Sequence, residues 1–205
     1  MQHEPISTGT TLLAFKYKDG LVIAADSRTS SGVYIASRIT DKLGQITDNI
    51  FLCRSGSAAD TQLIMRIVQR EIKKLSLVEN TRPSVEKAAR LVGKIIYENK
   101  EHLSAAILVA GYDDGPKIYK INVCGTIEED KDLLMSGSGT AFIYGYCDYH
   151  FKPDMSLEEA LSFARTSVGL AIHRDTASGG VVRMAAINKD GVKRYFVSGE
   201  NLLEQ

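Results

Sequence analysis

The sequence predicts an α+β fold of four layers: two largely antiparallel sheets, face to face, with helices on both outer sides. Three observations carry that expectation. The elements run strands, two helices, strands, two helices, strands along 205 residues, with no linker, repeat or low-complexity stretch between them. Successive strands are joined by tight turns, Lys18-Asp19-Gly20 and Asp113-Asp114-Gly115-Pro116, which link antiparallel neighbours. The helical segments carry their apolar residues near one face, so each needs a sheet to cover. Two sheets with a helical layer on each outer side bury all of this surface in one domain.

The elements follow in order. Thr11–Tyr17 and Leu21–Ala25 form a first hairpin, and the Ser/Thr/Gly-rich Ser27–Gly32 reads as a loop. Tyr34–Ile39 and Lys42–Thr47 are short extended pieces. Ile50–Arg54 is a buried strand ending at Ser55-Gly56-Ser57. A helix is expected from Ala58 to about Leu77, with Ala59, Leu63, Ile67 and Ile72 near its inner face. Pro83-Ser84 opens a second helix with Val85, Ala88, Val92 and Ile95 at helical spacing. Ala105–Tyr112 and Lys117–Val123 make a second hairpin. Gly137-Ser138-Gly139-Thr140 starts a short helix to about Tyr149. Ser156-Leu157-Glu158-Glu159 is a capping box for a helix reaching about Arg174. Val181–Ile187 and Arg194–Val197 close the chain as strands.

Composition narrows the function. Lys and Arg number 25, Asp and Glu 25, giving zero formal charge. No basic block exists to neutralise phosphates, which argues against nucleic acid as a partner. The longest apolar run, around Ala105–Ala110, is far too short for a bilayer, so no membrane is expected. The leader Met1–Gly9 lacks the apolar stretch of a secretory signal. Cys53, Cys124 and Cys147 show no metal spacing, and an odd count fits a reducing compartment better than a disulfide framework. His3, His102, His150 and His173 show neither metal nor triad spacing. No metal or cofactor is expected.

The chemistry concentrates at Gly9-Thr10-Thr11, between a polar leader and the first strand. One reading of these residues is simply a strand start. Cleavage between Gly9 and Thr10 gives the second reading, a hydroxyl and a free α-amine on one residue: a nucleophile with its own base. The amine's ordinary pKa is about 7.7–8.0, and a nearby cation lowers it. Asp26 ends the second strand and Lys42 opens a later extended piece. They are either a surface ion pair or, at the end of the Thr10 strand, an ammonium group held in place by a carboxylate. Gly56 is either a plain strand-to-helix turn or an N–H donor to a developing oxyanion. Gly137-Ser138-Gly139 lacks the lysine and spacing of a phosphate-binding loop.

Several long motifs together are more specific: Ser7-Thr8-Gly9-Thr10-Thr11, Ala24-Ala25-Asp26-Ser27-Arg28-Thr29, Arg38-Ile39-Thr40-Asp41-Lys42-Leu43, Cys53-Arg54-Ser55-Gly56-Ser57-Ala58-Ala59-Asp60-Thr61-Gln62, Gly137-Ser138-Gly139, Ile143-Tyr144-Gly145-Tyr146 and Ser178-Gly179-Gly180. Through these the chain resembles the proteasome β subunits, N-terminal-nucleophile hydrolases, over nearly its whole length from Thr8 to about Val197. Within them it is most similar to the caspase-like catalytic type. The resemblance implies a leader, residues 1–9, removed autocatalytically, and one hydrolase domain, residues 10–205. It implies Thr10 as nucleophile, Lys42 lowering its pKa with Asp26 as partner, and Ser138, Asp175 and Ser178 positioning the terminal amine. Gly56 would donate to the oxyanion, with Thr29, Ser30, Thr40, Arg54 and Ala58 binding an extended peptide. A basic Arg54 at the floor of the primary pocket implies a preference for acidic residues before the scissile bond. Implied partners are other β subunits in a ring, α subunits stacked on it, and unfolded polypeptide substrates, in cytoplasm and nucleus.

Two further readings stand beside this one: a structural, non-cleaving ring subunit, and a homomeric peptidase of bacterial or archaeal type. Thr10, Asp26 and Lys42 together speak against the first, and Arg54 against the second. The chain departs from its relatives at Gly44, where threonine is common near the pocket, and at Thr176-Ala177, which replaces a Gly-Ser pair.

Overall fold

The computed structural model describes residues 9–129 and 132–198. The Ser7-Thr8 part of the first motif, and nearly all of the expected leader, lie outside the described residues.

Two five-stranded antiparallel sheets stack between helices. The first has the order β10-β1-β2-β11-β12, from β1 (Leu12–Tyr17), β2 (Gly20–Ala25), β10 (Leu133–Ser136), β11 (Val182–Asn188) and β12 (Gly191–Val197). The second has the order β5-β6-β7-β8-β9, from β5 (Leu43–Gln45), β6 (Ile50–Gly56), β7 (Ala105–Tyr112), β8 (Pro116–Ile121) and β9 (Ile127–Glu129). Helices α1 (Ala58–Glu79) and α2 (Val85–Glu98) cover the second sheet; α3 (Tyr144–His150) and α4 (Leu157–Arg174) cover the first. The four expected layers are present.

Strand alternation explains the layering. Along β1, Leu12 and Ala14 point between the sheets, joining Phe51, Leu108 and Ile118. Leu13, Phe15 and Tyr17 point the other way, under α4. This is the period-two consequence of the pleat, with both faces apolar because both are covered. Phe15 anchors the helical side, edge-on to Phe163 at 5.0 Å. The capping box of α4 forms as expected: Ser156 N–H donates to Glu159 Oε2 at 2.8 Å, and Glu159 N–H to Ser156 Oγ at 3.3 Å.

Four local expectations need correction. Ser27–Gly32 is not all loop: Thr29–Ser31 forms β3 and pairs with β4 (Tyr34–Ser37) around a turn at Gly32, whose φ is +59°. Its hydroxyl side chains resemble loop composition, but the pairing uses backbone. The inner face of α1 is Thr61, Ile64, Val68 and Ile72 rather than the stripe through Ala59 and Leu63; Leu63 is 52 % exposed. Counting only apolar residues misplaced the face, because Thr61 turns inward with its hydroxyl donating to Ser57 O at 2.9 Å. Strands β9 and β10, too short and too polar at Ile127–Glu129 to show alternation, were not expected. The helix expected from Gly137 to Tyr149 is two pieces, a 3-10 turn (Ser138–Phe142) and α3, meeting at Ile143.

Candidate active site

Register gathers the site at one end of the first sheet. Because Leu12 faces Ala25 across β1–β2, Thr10 and Thr11, just before β1, lie beside Asp26, just past β2. Leu12 also faces Ser136 on β10, bringing the Gly137–Gly139 turn alongside. Arg183 faces Ala25 on β11, so the segment from Asp175 to Gly180 arrives from the other side. Lys42, before β5, reaches across from the second sheet.

The centre is buried. The Asp26 side chain is 0 % exposed and that of Lys42 6 %, so this is no surface ion pair. Asp26 Oδ1 accepts from Lys42 Nζ at 2.7 Å and from Thr11 N–H at 2.9 Å. Its Oδ2 accepts from Arg28 N–H at 3.1 Å and Gly179 N–H at 3.0 Å. Three peptide donors and one ammonium thus hold this fully buried side chain. Lys42 Nζ donates further to Thr10 Oγ1 at 3.0 Å and to Gly9 O at 3.3 Å. Its three contacts match the three donors of an ammonium group. Burial lowers the Lys42 pKa, and the charge and hydrogen bond of Asp26 oppose that fall.

Thr10 Oγ1 donates to Gly9 O at 2.7 Å. The carbonyl oxygen before Thr10 therefore receives two donors, the threonine hydroxyl and the lysine ammonium. Such convergence can polarise a carbonyl and stabilise negative charge developing on its oxygen. Gly9 must be small here, since a methyl group would overlap the Cβ of Ala177. Ala177, one of the two departures, forms that wall, and its N–H donates to Asp175 Oδ1 at 3.0 Å.

On the opposite side, Thr10 N–H donates to Ser138 Oγ at 3.2 Å, and Ser138 Oγ donates to Asp175 Oδ2 at 2.7 Å. Ser178 Oγ donates to the same Oδ2 at 2.7 Å, leaving it to accept from Thr11 Oγ1 at 2.8 Å. Asp175 therefore sits at the end of two hydroxyl relays, one of which ends on the Thr10 nitrogen. Two glycines make the close approach possible. Gly137, at φ +98°, comes against Thr10 O, and a Cβ on Gly139 would overlap Thr11 Oγ1.

A cleft opens from Thr10, lined by Lys42, Thr29, Thr40, Arg54, Gly56, Ala58, Thr61 and Gln62. Thr29 Oγ1 donates to Thr40 Oγ1 at 2.9 Å, fixing that wall. Gly56 has φ +107° and lies so close to Ser104 O that no side chain fits. Arg54 Nη2 donates to Asp41 O at 2.5 Å. Its buried Nε has no hydrogen-bond partner among the described residues, and burial lowers its pKa. Of the residues expected to meet a peptide, Thr29, Thr40, Arg54 and Ala58 line the cleft, while Ser30, on β3, is not in the lining. Gly44 is not in it either; the space beside that glycine is taken by the Met65 thioether. Sequence reasoning overlooked Thr11, Thr61 and Gln62, although all three lie inside the motifs that carry the resemblance.

The four-layer architecture is that of the N-terminal-nucleophile hydrolases, with the Gly9–Thr10 junction at a sheet end where a lysine meets a carboxylate. The family model described as proteasome subunit matches residues 6–187. The chain is 52 % identical over 204 residues to a probable proteasome subunit beta type-1 of Encephalitozoon cuniculi (strain GB-M1), covering 100 % of both. It is 47 % identical to the proteasome subunit beta type-1 of Saccharomyces cerevisiae (strain ATCC 204508 / S288c), over 93 % of this chain and 89 % of that one. To the proteasome subunit beta type-6 of Dictyostelium discoideum it is 42 % identical, over 96 % and 92 %. The chain belongs to the proteasome β-subunit family. Among its described residues, no helix is long and apolar enough to cross a membrane.

Proposed function

We propose that this chain is a catalytic, threonine-type endopeptidase subunit of a proteasome core particle. The observation that carries the reading is the contact of Thr10 Oγ1 with Lys42 Nζ at 3.0 Å, both buried beside Asp26. The hydroxyl of Thr10 attacks the Gly9 carbonyl carbon. The C–N bond breaks, the acyl group moves to Oγ1 as an ester, and the nitrogen leaves as the α-amine. Water hydrolyses the ester, releasing residues 1–9 as a carboxylic acid and freeing Oγ1. The amine, held by Ser138 and indirectly by Asp175 and Ser178, then takes the hydroxyl proton during attack on a peptide. Thr10's β-branch restricts χ1 and helps keep Oγ1 aimed. Gly56 N–H donates to the oxyanion.

Substrate lies extended in the cleft, adding a strand along Thr29, Gly56 and Ala58. Arg54 takes an acidic side chain preceding the scissile bond; its half-buried guanidinium and open Nε support this. Partners are neighbouring β subunits and stacked α subunits, in cytoplasm and nucleus, with unfolded chains as substrates. The test is Arg54→Met. A charge-assisted hydrogen bond contributes about 1.5–3 kcal/mol, so kcat/KM for a peptide with Glu before the cleaved bond should fall about ten- to a hundredfold against its Gln counterpart. An unchanged ratio removes Arg54 from specificity.

A further inference from the structure

Asp41 is the carboxylate whose charge acts on the Arg54 guanidinium, yet the two charged groups do not pair: Arg54 Nη2 donates to the backbone carbonyl of Asp41. The Asp41 carboxylate is occupied elsewhere. Its Oδ1 accepts from Leu43 N–H at 2.9 Å, and its Oδ2 from Arg194 Nη1 at 2.5 Å. Arg194 stands on β12, the edge of the first sheet, and reaches across to β5, the edge of the second. Its Nη2 donates to Leu43 O at 2.6 Å, and its guanidinium carbon lies 5.4 Å from the Phe51 ring centre. Phe51 is fully buried, so that platform is rigid. A planar fork engaging a carboxylate, a carbonyl and an aromatic ring is a task for arginine.

We propose that Arg194 is a positioning residue for the pocket: by holding the Asp41 carboxylate it keeps the Arg54 guanidinium uncompensated and available to an acidic substrate side chain. This rests on Arg54 being the pocket's acid-binding group. With Arg194 gone, Asp41 loses its ion-pair partner, while Arg54, whose guanidinium already bonds the Asp41 backbone, stays beside it. The two already interact, since the Asp41 charge raises the Arg54 pKa against the lowering effect of burial. A carboxylate turned onto Arg54 competes with the substrate's own.

The test is a double-mutant cycle on assembled particles. It uses Arg194→Gln, Asp41→Asn and the two combined, with activity taken as the difference from particles carrying Thr10→Ala in this chain. Matched peptides with Glu or Gln before the cleaved bond give the ratio of kcat/KM values. Arg194→Gln should lower that ratio by up to about fivefold, the span expected when a partly exposed carboxylate pairs with the guanidinium. In the Asp41→Asn background the same change should leave the ratio unaltered. A merely structural role would depress both peptides together and leave the ratio unmoved, which overturns the proposal. A fall of equal size in both backgrounds also overturns it, because Arg194 would then act by its own charge. If Arg194→Gln fails to assemble, Asp41→Asn alone decides: the ratio should hold or rise, and a fall contradicts the proposal. A wild-type ratio near one instead sinks the acid-pocket reading of Arg54 itself.

Discussion

Thr10→Ala is expected to leave residues 1–9 attached and to abolish cleavage after acidic residues. Thr10 brings a nucleophilic oxygen to the Gly9 carbonyl and, after cleavage, supplies the amine as well. Lys42 Nζ spends its donors on Asp26, Thr10 and Gly9. Removal of a covalent nucleophile costs about 10⁴-fold or more in comparable hydrolases, so residual turnover should fall to background. The readouts are the chain's mass in assembled particles and hydrolysis of a Glu-containing peptide. A leader removed despite the substitution assigns processing to a neighbouring subunit's protease and takes the autocatalytic step from this chain.

Asp26→Ala should have the largest effect on stability. It leaves the Lys42 ammonium buried with no counter-charge and orphans three peptide donors, Thr11, Arg28 and Gly179 N–H. Removing one member of a buried ion pair costs about 3–5 kcal/mol, enough to consume much of a domain's margin. Yield of assembled particles and their thermal midpoint should both drop sharply. Lys42→Met provides the contrast. It deletes the cation but leaves the carboxylate its three N–H donors, so assembly should suffer much less while activity is lost. Equal damage from the two variants contradicts the view that Asp26 is the structural keystone and Lys42 the chemical partner.

What could be read from the sequence followed the strength of local periodicity. The hairpins at Thr11–Ala25 and Ala105–Val123, and the capped helix opening at Ser156, carry strong turn, alternation or capping signals and lie within a residue or two of where they were expected. Strands β9 and β10 carry too few residues for alternation to register. Yet β10 is the strand that delivers Ser138 to Thr10, a placement set by long-range register rather than by local composition. The site shows the same division. Thr10, Asp26 and Lys42 were recognisable by residue type and motif. Their approach depends on two separate sheets meeting at one end, and no spacing rule encodes that. Thr11 stands in the first motif, but the sequence assigns it no role, because that role is to complete Ser178's hydrogen bonding, a contact between residues 167 positions apart. Arg194 stood in the last strand with no motif around it. Only the folded arrangement brings it to Asp41.

The most direct measurement is the intact mass of this chain within the assembled particle. The account predicts a polypeptide beginning at Thr10, with a free amine beside Ser138 and Lys42. A chain that still carries Gly9 in amide linkage to Thr10, in particles that are otherwise mature, contradicts it.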